Sequence, residues 1–156
     1  MSEQATEVVL EAGAELPGLT VTPDRFTPVR YAGASGDFNP IHVDDEFARQ
    51  VGLPGRILHG LWSMAQVARA TTEAARAAGL AGPDALVSLS VQFRGLAVPD
   101  EEIVVTGKVD EVVERDGVRT AVVAATAKQG STRIVRNGRA ELRLDPPAAV
   151  DRPAGG

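Results

Sequence analysis

The amino-acid sequence has 156 residues, and its 44% hydrophobic and 24% charged content is typical of one globular domain rather than of a disordered chain. Because the net charge is −5 and no run of lysine or arginine interrupts the acidic balance, we expect no nucleic acid partner. The sequence has no cysteine, which excludes disulfides, thiolate nucleophiles and zinc–thiolate sites and favours a cytoplasmic location.

Neither export nor membrane insertion is expected. The N-terminus, MSEQATEVVLEAG, places acidic side chains on both sides of a short apolar run, whereas a signal peptide needs a basic start and a longer run. The most apolar window, residues 58–67, contains His59, Ser63 and Gln66 and is too short to cross a bilayer. We therefore expect no membrane partner.

The first quarter of the chain predicts a short strand and then a short helix. The strand is expected within residues 15–24, between two proline-containing turns. Thr27 can act as the N-cap of the helix, with Pro28 at the first helical position, where a missing N–H costs nothing. Gly33 and Gly36 are expected to end this helix within about two turns.

Two further helices are predicted. Asp44 can cap a short one, because Asp45 and Glu46 then lie in its first turn, and Gly52 is expected to end it. From Gly60 to about residue 78 the sequence lacks proline and is rich in alanine, which predicts one long helix. The first half of this helix is apolar nearly all round, so we expect burial on several of its sides.

After residue 84 the hydrophobic pattern changes to alternation or to β-branched runs, which predicts four strands within residues 85–95, 101–115, 118–130 and 132–144. Hairpin turns are expected at 115–117 and 129–131. A long helix followed by an antiparallel meander predicts an α+β fold with the sheet wrapped around the helix. Dimerisation would protect the sheet edges and cover more of the helix.

The chain is predicted to form one domain, residues 1–144, followed by a flexible tail, residues 145–156. The tail is rich in proline, alanine and glycine and has little to bury.

The segment from Asp37 to His42 contains the first candidate site. Asn39-Pro40 stiffens the connection between the carboxylate and the imidazole, so both could face one cavity. Such a pair can hold a water molecule and move protons at near-neutral pH. Because aspartate and asparagine are also ordinary turn and cap residues, the pattern alone leaves a structural interpretation open.

Gly60 is the second candidate. It lies at the predicted start of the long helix, where free backbone N–H groups and the positive end of the helix dipole can stabilise a carbonyl oxygen that gains negative charge. A plain helix-start glycine is the alternative interpretation.

Together, YAGASGDFNPIHVDDEFA and GLPGRILHGLWSM resemble the hydratase motif of MaoC-like proteins, the R-specific enoyl-CoA hydratases and (3R)-hydroxyacyl-ACP dehydratases of hotdog fold. The sequence is similar in particular to the short HadB-type dehydratase subunits. The detailed match covers about residues 31–64, and the strand pattern agrees with it as far as about residue 144.

The resemblance implies a role for each matching residue. Asp37 and His42 match the catalytic pair that binds the water added to or removed from the acyl chain, and Gly60 matches the glycine whose amide polarises the thioester carbonyl. Asn39 and Pro40 match the residues that shape the catalytic turn. His59, in the His-Gly pair, is expected to support the site. The family's dimers bind the acyl chain in a tunnel beside the central helix.

The sequence departs from some hydratases at Ala65, where they carry a serine that binds the catalytic aspartate. Ser63 is expected to point elsewhere on the helix, so Asp37 needs another partner.

Other candidates are weaker. Trp62 and Met64 are more typical of core residues. Phe93-Arg94 could approach a phosphopantetheine or nucleotide phosphate, although a strand arginine usually faces solvent. Along the sequence no second histidine lies at ligand spacing from His42, so we expect no metal.

The predicted activity is reversible hydration of trans-2-enoyl thioesters to (3R)-3-hydroxyacyl thioesters, carried by CoA or acyl carrier protein and requiring no cofactor. Two alternatives remain: a non-catalytic or partner-dependent hotdog subunit of a heterodimeric dehydratase, and an acyl-thioesterase. A homodimer or a heterodimer with another hotdog subunit is expected.

Overall fold

The computed structural model describes residues 8–145. Its helices and strands in chain order are β1 (Leu19–Val21), α1 (Thr27–Ser35), α2 (Pro40–Val43), α3 (Asp45–Gln50), α4 (Gly60–Ala77), β2 (Leu86–Phe93), β3 (Ile103–Arg115), β4 (Val118–Gln129) and β5 (Thr132–Arg143). A 3₁₀ turn, Gly82–Ala85, leads from α4 into β2.

The strands form one antiparallel sheet in the order β1-β3-β4-β5-β2, and α4 packs against β2, β3, β4 and β5. Small and β-branched side chains on the sheet meet similar ones on the helix, so the two layers approach closely. The core includes Val67 and Ala74 of α4 with Val105, Val123 and Leu142 of the sheet, each at most 1% exposed. This arrangement confirms the predicted α+β fold.

The predicted order of the strands is wrong for β2. Only β3, β4 and β5 form a meander, whereas β2 pairs with β5 at the far edge. The segment between β2 and β3 therefore passes over the sheet beside the start of α4, where Leu58 N–H donates to the Ala97 carbonyl at 2.7 Å. The Gln129 side-chain amide holds this crossover: its Oε1 accepts from the Val98 N–H at 2.8 Å, and its Nε2 donates to the Val98 carbonyl at 2.9 Å.

Both predicted hairpins are present. Arg115 pairs with Val118 across Asp116-Gly117, and these two turn residues have φ angles of 52° and 75°. Positive φ at both central positions is the geometry that matches the twist of the strands, and it favours Asp-Gly. The second hairpin joins Gln129 to Thr132.

The helices before the long one differ from prediction in detail. Phe26, not Thr27, is the N-cap of α1, and the helix continues through Gly33 to end at Gly36, whose φ is 78°. Asp24 explains the earlier start, because its carboxylate accepts hydrogen bonds from Phe26 N–H at 2.9 Å and from the Thr27 hydroxyl at 3.1 Å. Asp44 caps α3 as predicted, accepting from two backbone N–H groups.

The expectation that the first half of α4 is buried on several sides is wrong for the single chain. Leu61 is 60% exposed and Ala65 is exposed, whereas Ser63, Gln66 and Val67 are buried. The reason is that the sheet covers one face of the helix only. The apolar residues on its other faces remain open at the end where the helix begins.

The C-terminal end of the described part is held by an ion pair. The carboxylate of Asp145 accepts from the Arg119 backbone N–H at 2.6 Å and from its guanidinium at 3.1 Å. The predicted tail lies, apart from Asp145, outside the described residues, so the division at residue 144 stays a prediction. None of the helices within residues 8–145 has the length and hydropathy that a bilayer-spanning segment requires.

Candidate active site

Asp37 lies in the short connection between α1 and α2. Gly36 turns the chain out of α1, and the Asp37 backbone N–H then donates to the Ser35 hydroxyl at 3.2 Å. The Asp37 Oδ1 atom accepts from the Asn39 N–H, also at 3.2 Å. Because residue 65 is alanine and not serine, Asp37 needs another hydrogen-bond partner, and the Asn39 N–H is that partner. The side chain of Asp37 is 54% exposed, so the carboxylate is open to solvent.

His42 is presented by a one-turn helix rather than by the stiff loop expected from Asn39-Pro40. Asn39 Oδ1 accepts from Ile41 N–H at 3.2 Å and caps α2, and Pro40 occupies its first position. His42 Nδ1 lies 2.8 Å from the Ile57 carbonyl oxygen. Because a carbonyl can only accept, Nδ1 carries a proton, and Nε2 of the neutral ring is left with its lone pair.

His59 is the residue just before α4, and it is 3% exposed. Its Nε2 donates to the backbone carbonyl of Asp37 at 2.9 Å and lies 4.0 Å from the Asp37 carboxylate. The His59 ring stacks on the His42 ring with 3.7 Å between centroids and 23° between planes. The sequence places no second histidine at ligand spacing from His42. In the fold, however, His59 becomes its ring neighbour although the two residues are 17 positions apart.

The three side chains form one cluster whose possible ligand atoms all lie within 4.8 Å of one another. A metal ion would need the free lone pairs of both rings to point at it from about 2.0–2.1 Å. The stacked rings do not provide this, because their lone pairs lie in nearly parallel planes with 3.7 Å between ring centroids. The cluster brings a carboxylate and two imidazoles, which are groups that can exchange protons, within 4.8 Å of one another.

Gly60 opens α4 beside this cluster. The first backbone hydrogen bond of the helix joins Ser63 N–H to the His59 carbonyl, at 3.3 Å. Within residues 8–145 no side chain caps the N–H groups that precede it. A Cβ at residue 60 would lie 3.3 Å from the ring of Phe93 at the end of β2, so glycine keeps a narrow opening between helix and ring.

Some residues at the site were not predicted. Tyr31 packs its ring 4.8 Å from the His59 ring, and the Ile57 carbonyl sets the tautomer of His42. Phe93 was considered only for phosphate binding together with Arg94, whose guanidinium instead donates to Gln92 at 3.2 Å. Backbone carbonyls and a ring from a distant strand leave no local signal in the sequence.

An open groove of about 390 Å³ is lined by residues that include Tyr31 and Trp62, and Tyr31 also packs on His59 of the cluster. Trp62 also packs against the core, as its apolar context predicts. The groove also borders the ion pair of Asp24 and Arg30, and the expected acyl tunnel stays a prediction.

A salt bridge braces the segment that carries Ile57. Asp45 accepts from the Arg56 backbone N–H at 2.9 Å and from its Nε at 3.0 Å, which joins α3 to this segment. The backbone hydrogen bond, followed by the positive charge of Arg56, lowers the pKa of Asp45 below its usual 3.8. Ile57 N–H in turn donates to the Ile41 carbonyl at 3.1 Å, so the brace reaches the helix of His42.

Comparisons with known proteins identify the family and the fold of the chain. A family model described as MaoC like domain matches residues 9–131. Fatty acid synthase subunit beta of Aspergillus oryzae is 35% identical over 112 residues, which are 72% of this chain and 5% of that protein. Enoyl-CoA hydratase ChsH3 of Mycobacterium tuberculosis is 37% identical over 95 residues, or 58% of this chain and 29% of that protein. The chain thus spans only a small part of the length of these relatives.

Among solved structures, a MaoC-like dehydratase superposes with a TM-score of 0.74 at 30% identity, covering 86% of this chain and 41% of the other. The ChsH1-ChsH2 complex of Mycobacterium tuberculosis gives 0.69 at 24% identity, covering 86% of this chain and 98% of the other. The HadBC complex of the same organism gives 0.70 at 12% identity, covering 88% and 98%. The last two show a shared fold. The chain belongs to the MaoC-like domain family and has the hotdog fold.

The Asp45 brace generates a prediction on acid stability. Since the pKa of Asp45 is lower in the folded state than in the unfolded one, its carboxylate stabilises the fold above about pH 4, and this contribution is lost as the pH falls through the folded-state pKa. We expect Asp45→Asn to lower the free energy of unfolding at neutral pH and to flatten its decline in acid. Denaturant unfolding over a pH series measures both.

Asp116→Asn is a suitable control, because asparagine also tolerates the positive φ of that turn. Identical pH profiles for wild type and Asp45→Asn would contradict a stabilising role of the brace.

Proposed function

We propose that the chain catalyses the reversible hydration of trans-2-enoyl thioesters to (3R)-3-hydroxyacyl thioesters. The observation that carries this proposal is the meeting of a carboxylate, an imidazole with a free Nε2 and an uncapped helix start in one place. Membership of the MaoC-like family and relatives named enoyl-CoA hydratase support it.

Asp37 and His42 are proposed to share the acid and base roles. In hydration they bind a water molecule between them, its oxygen forms the bond to Cβ of the acyl chain, and one of its protons passes to the pair. The pair also supplies the proton that Cα gains, so its overall charge is restored. In dehydration these transfers run in reverse. Because Nδ1 of His42 donates its proton to the Ile57 carbonyl, Nε2 is the nitrogen that can accept one from substrate or water.

The start of α4 is proposed to bind the thioester carbonyl. As Cα gains or loses its proton, negative charge develops on the carbonyl oxygen, and the Gly60 N–H and the helix dipole stabilise it. One such donor is typically worth about 3–4 kcal/mol of the activation barrier. The thioester itself acidifies the Cα proton, so the proposed chemistry requires no cofactor.

The acyl chain is proposed to extend into the groove beside Tyr31 and Trp62, with either CoA or acyl carrier protein as the thiol carrier. Asn39 and Pro40 contribute through the cap of α2, which sets the direction of the His42 side chain.

The catalytic pair can be tested by Asp37→Asn and His42→Ala. Each removes one proton-transfer group, so we expect kcat to fall about 10²–10⁴-fold while the chain stays folded. Loss of crotonyl-CoA absorbance measures the rate, and chiral analysis of the product measures the (3R) preference.

A matched control is Asp44→Asn, which makes the same chemical change at a helix cap that asparagine fills equally well. Near-wild-type hydration by either Asp37→Asn or His42→Ala would sink the assignment. Release of free thiol in place of hydration would favour the thioesterase alternative.

The carbonyl site can be tested by Gly60→Ala. The added Cβ would lie 3.3 Å from the Phe93 ring and narrow the opening through which the carbonyl reaches the helix. A displacement of about 1 Å at a reacting group can cost about 100-fold in rate, so we expect a loss of kcat/KM of this order.

Gly33→Ala is its control, because it adds the same methyl group inside α1, where, apart from the neighbouring residues and backbone of its own helix, no atom of residues 8–145 lies within 4 Å of the new Cβ. If Gly60→Ala hydrates crotonyl-CoA as fast as Gly33→Ala, the carbonyl does not bind at this helix start.

A partner-dependent subunit is the second candidate function. It is favoured by large apolar side chains that are 47–60% exposed near the site and along the open edge of β2, namely Phe38, Leu61, Val87, Phe93 and Leu96. The similar ChsH1-ChsH2 and HadBC structures are complexes of two proteins. A second hotdog chain, identical or different, would cover this surface.

The two candidate functions predict different behaviour of the purified chain. An enzyme in its own right should hydrate crotonyl-CoA without a second protein and should sediment as a homodimer, because a copy of itself covers the β2 edge. Sedimentation and activity measured on the same sample test this. A monomer that is inactive until a second hotdog subunit is added would instead support the partner-dependent function.

A further inference from the structure

His59 contacts or adjoins each of the three residues to which the proposed function assigns a role. It donates to the Asp37 carbonyl at 2.9 Å, stacks on His42 at 3.7 Å, and is joined by a peptide bond to Gly60. We propose that His59 is a positioning residue that holds the acid–base pair at a fixed place relative to the start of α4. The catalytic consequence rests on the proposed function, whereas the geometry can be tested without it.

The hydrogen bond to Asp37 assigns a tautomer to His59. Its acceptor is a carbonyl oxygen, so Nε2 must carry a proton. The two rings of the stack therefore have opposite tautomers, with the proton on Nδ1 in His42 and on Nε2 in His59. The His42 ring donates to the Ile57 carbonyl, and the His59 ring donates to the Asp37 carbonyl. Each hydrogen bond crosses to a different segment of the chain and fixes the orientation of the ring that donates it.

The surroundings of His59 indicate a role beyond filling the core. His59 is only 3% exposed, yet within residues 8–145 its Nδ1 has no hydrogen-bond partner. Unpaired buried polar atoms are uncommon in folded proteins, because an apolar side chain could fill the same space without the cost. A leucine or phenylalanine there would pack but would release the Asp37 carbonyl.

His59 is itself held in place by contacts of its ring and its backbone. Tyr31 packs on it at 4.8 Å, and its backbone carbonyl accepts from Ser63 N–H to begin α4. Because the long helix is anchored in the core, movement of His59 is restricted, and that restriction passes to the exposed Asp37 loop. Within residues 8–145 the other bonds of Asp37 are local: its backbone N–H donates to the Ser35 hydroxyl, and its carboxylate accepts from the Asn39 N–H.

The experiment uses the fact that the chain has two histidines in all. In protein labelled with ¹⁵N-histidine, the nitrogen shifts distinguish the two tautomers at mildly alkaline pH, where an ordinary imidazole is neutral. We expect one ring protonated on Nδ1 and one on Nε2, with His59→Gln identifying which signal is which. Two rings of the same tautomer in wild type would overturn the proposal.

Two variants separate the contacts. His59→Phe keeps a ring to stack on His42 but removes the donor to Asp37, and His59→Gln keeps an amide donor but removes the ring. We expect each to lower kcat roughly tenfold to a hundredfold, with a smaller change in KM, because substrate still binds while the reacting groups are displaced. In both variants the remaining His42 signals should keep the Nδ1-protonated pattern, because the Ile57 carbonyl sets that tautomer.

Thr71→Val is the control for lost stability. Thr71 is 1% exposed on α4 and donates only to backbone carbonyls of its own helix, at 3.1 and 2.9 Å, so its variant should leave kcat and the histidine signals unchanged. Unchanged kcat in both His59 variants would refute the positioning role. If wild type shows the two tautomers but hydrates no enoyl thioester, the proposed function fails and the anchoring geometry remains supported.

Discussion

Two backbone carbonyl groups set the geometry on which the candidate site depends. The carbonyl of Ile57 accepts the Nδ1 proton of His42, and the carbonyl of Asp37 accepts the Nε2 proton of His59. Each bond crosses from one segment to another, so the loop with Asp37, the short helix with His42 and the start of α4 are tied together. Since both acceptors are part of the chain itself, they hold the rings in one tautomer each without any charged partner.

The fold explains why these segments meet. The sheet covers one face of α4 and buries Val67, Ala70 and Ala74, which anchors the helix along its length. The start of the helix lies beyond the covered part, beside the crossover from β2 to β3. Backbone N–H groups there stay available, and the same one-sided cover leaves apolar residues such as Leu61 open to a second chain.

The elements that sequence reasoning predicted well are those specified by local physics. The alanine-rich run after Gly60 forms α4, the Asp116-Gly117 pair forms its hairpin, and Asp44 caps α3. Each depends on a helix propensity, a positive φ or a cap within a few residues. The order of the strands was missed because the pairing of β2 with β5 joins residues about fifty positions apart, such as Leu89 and Ala140.

The sequence by itself indicated the family and the long helix, and its short motifs singled out Asp37, His42 and Gly60 as the candidate site residues, whose roles stay a prediction. Only the tertiary structure decided that His59 stacks on His42, that Ile57 sets its tautomer and that Phe93 faces Gly60. These contacts depend on backbone carbonyls and on rings from separate elements. Their positions follow from how the helix packs on the sheet, which no local pattern of side chains encodes.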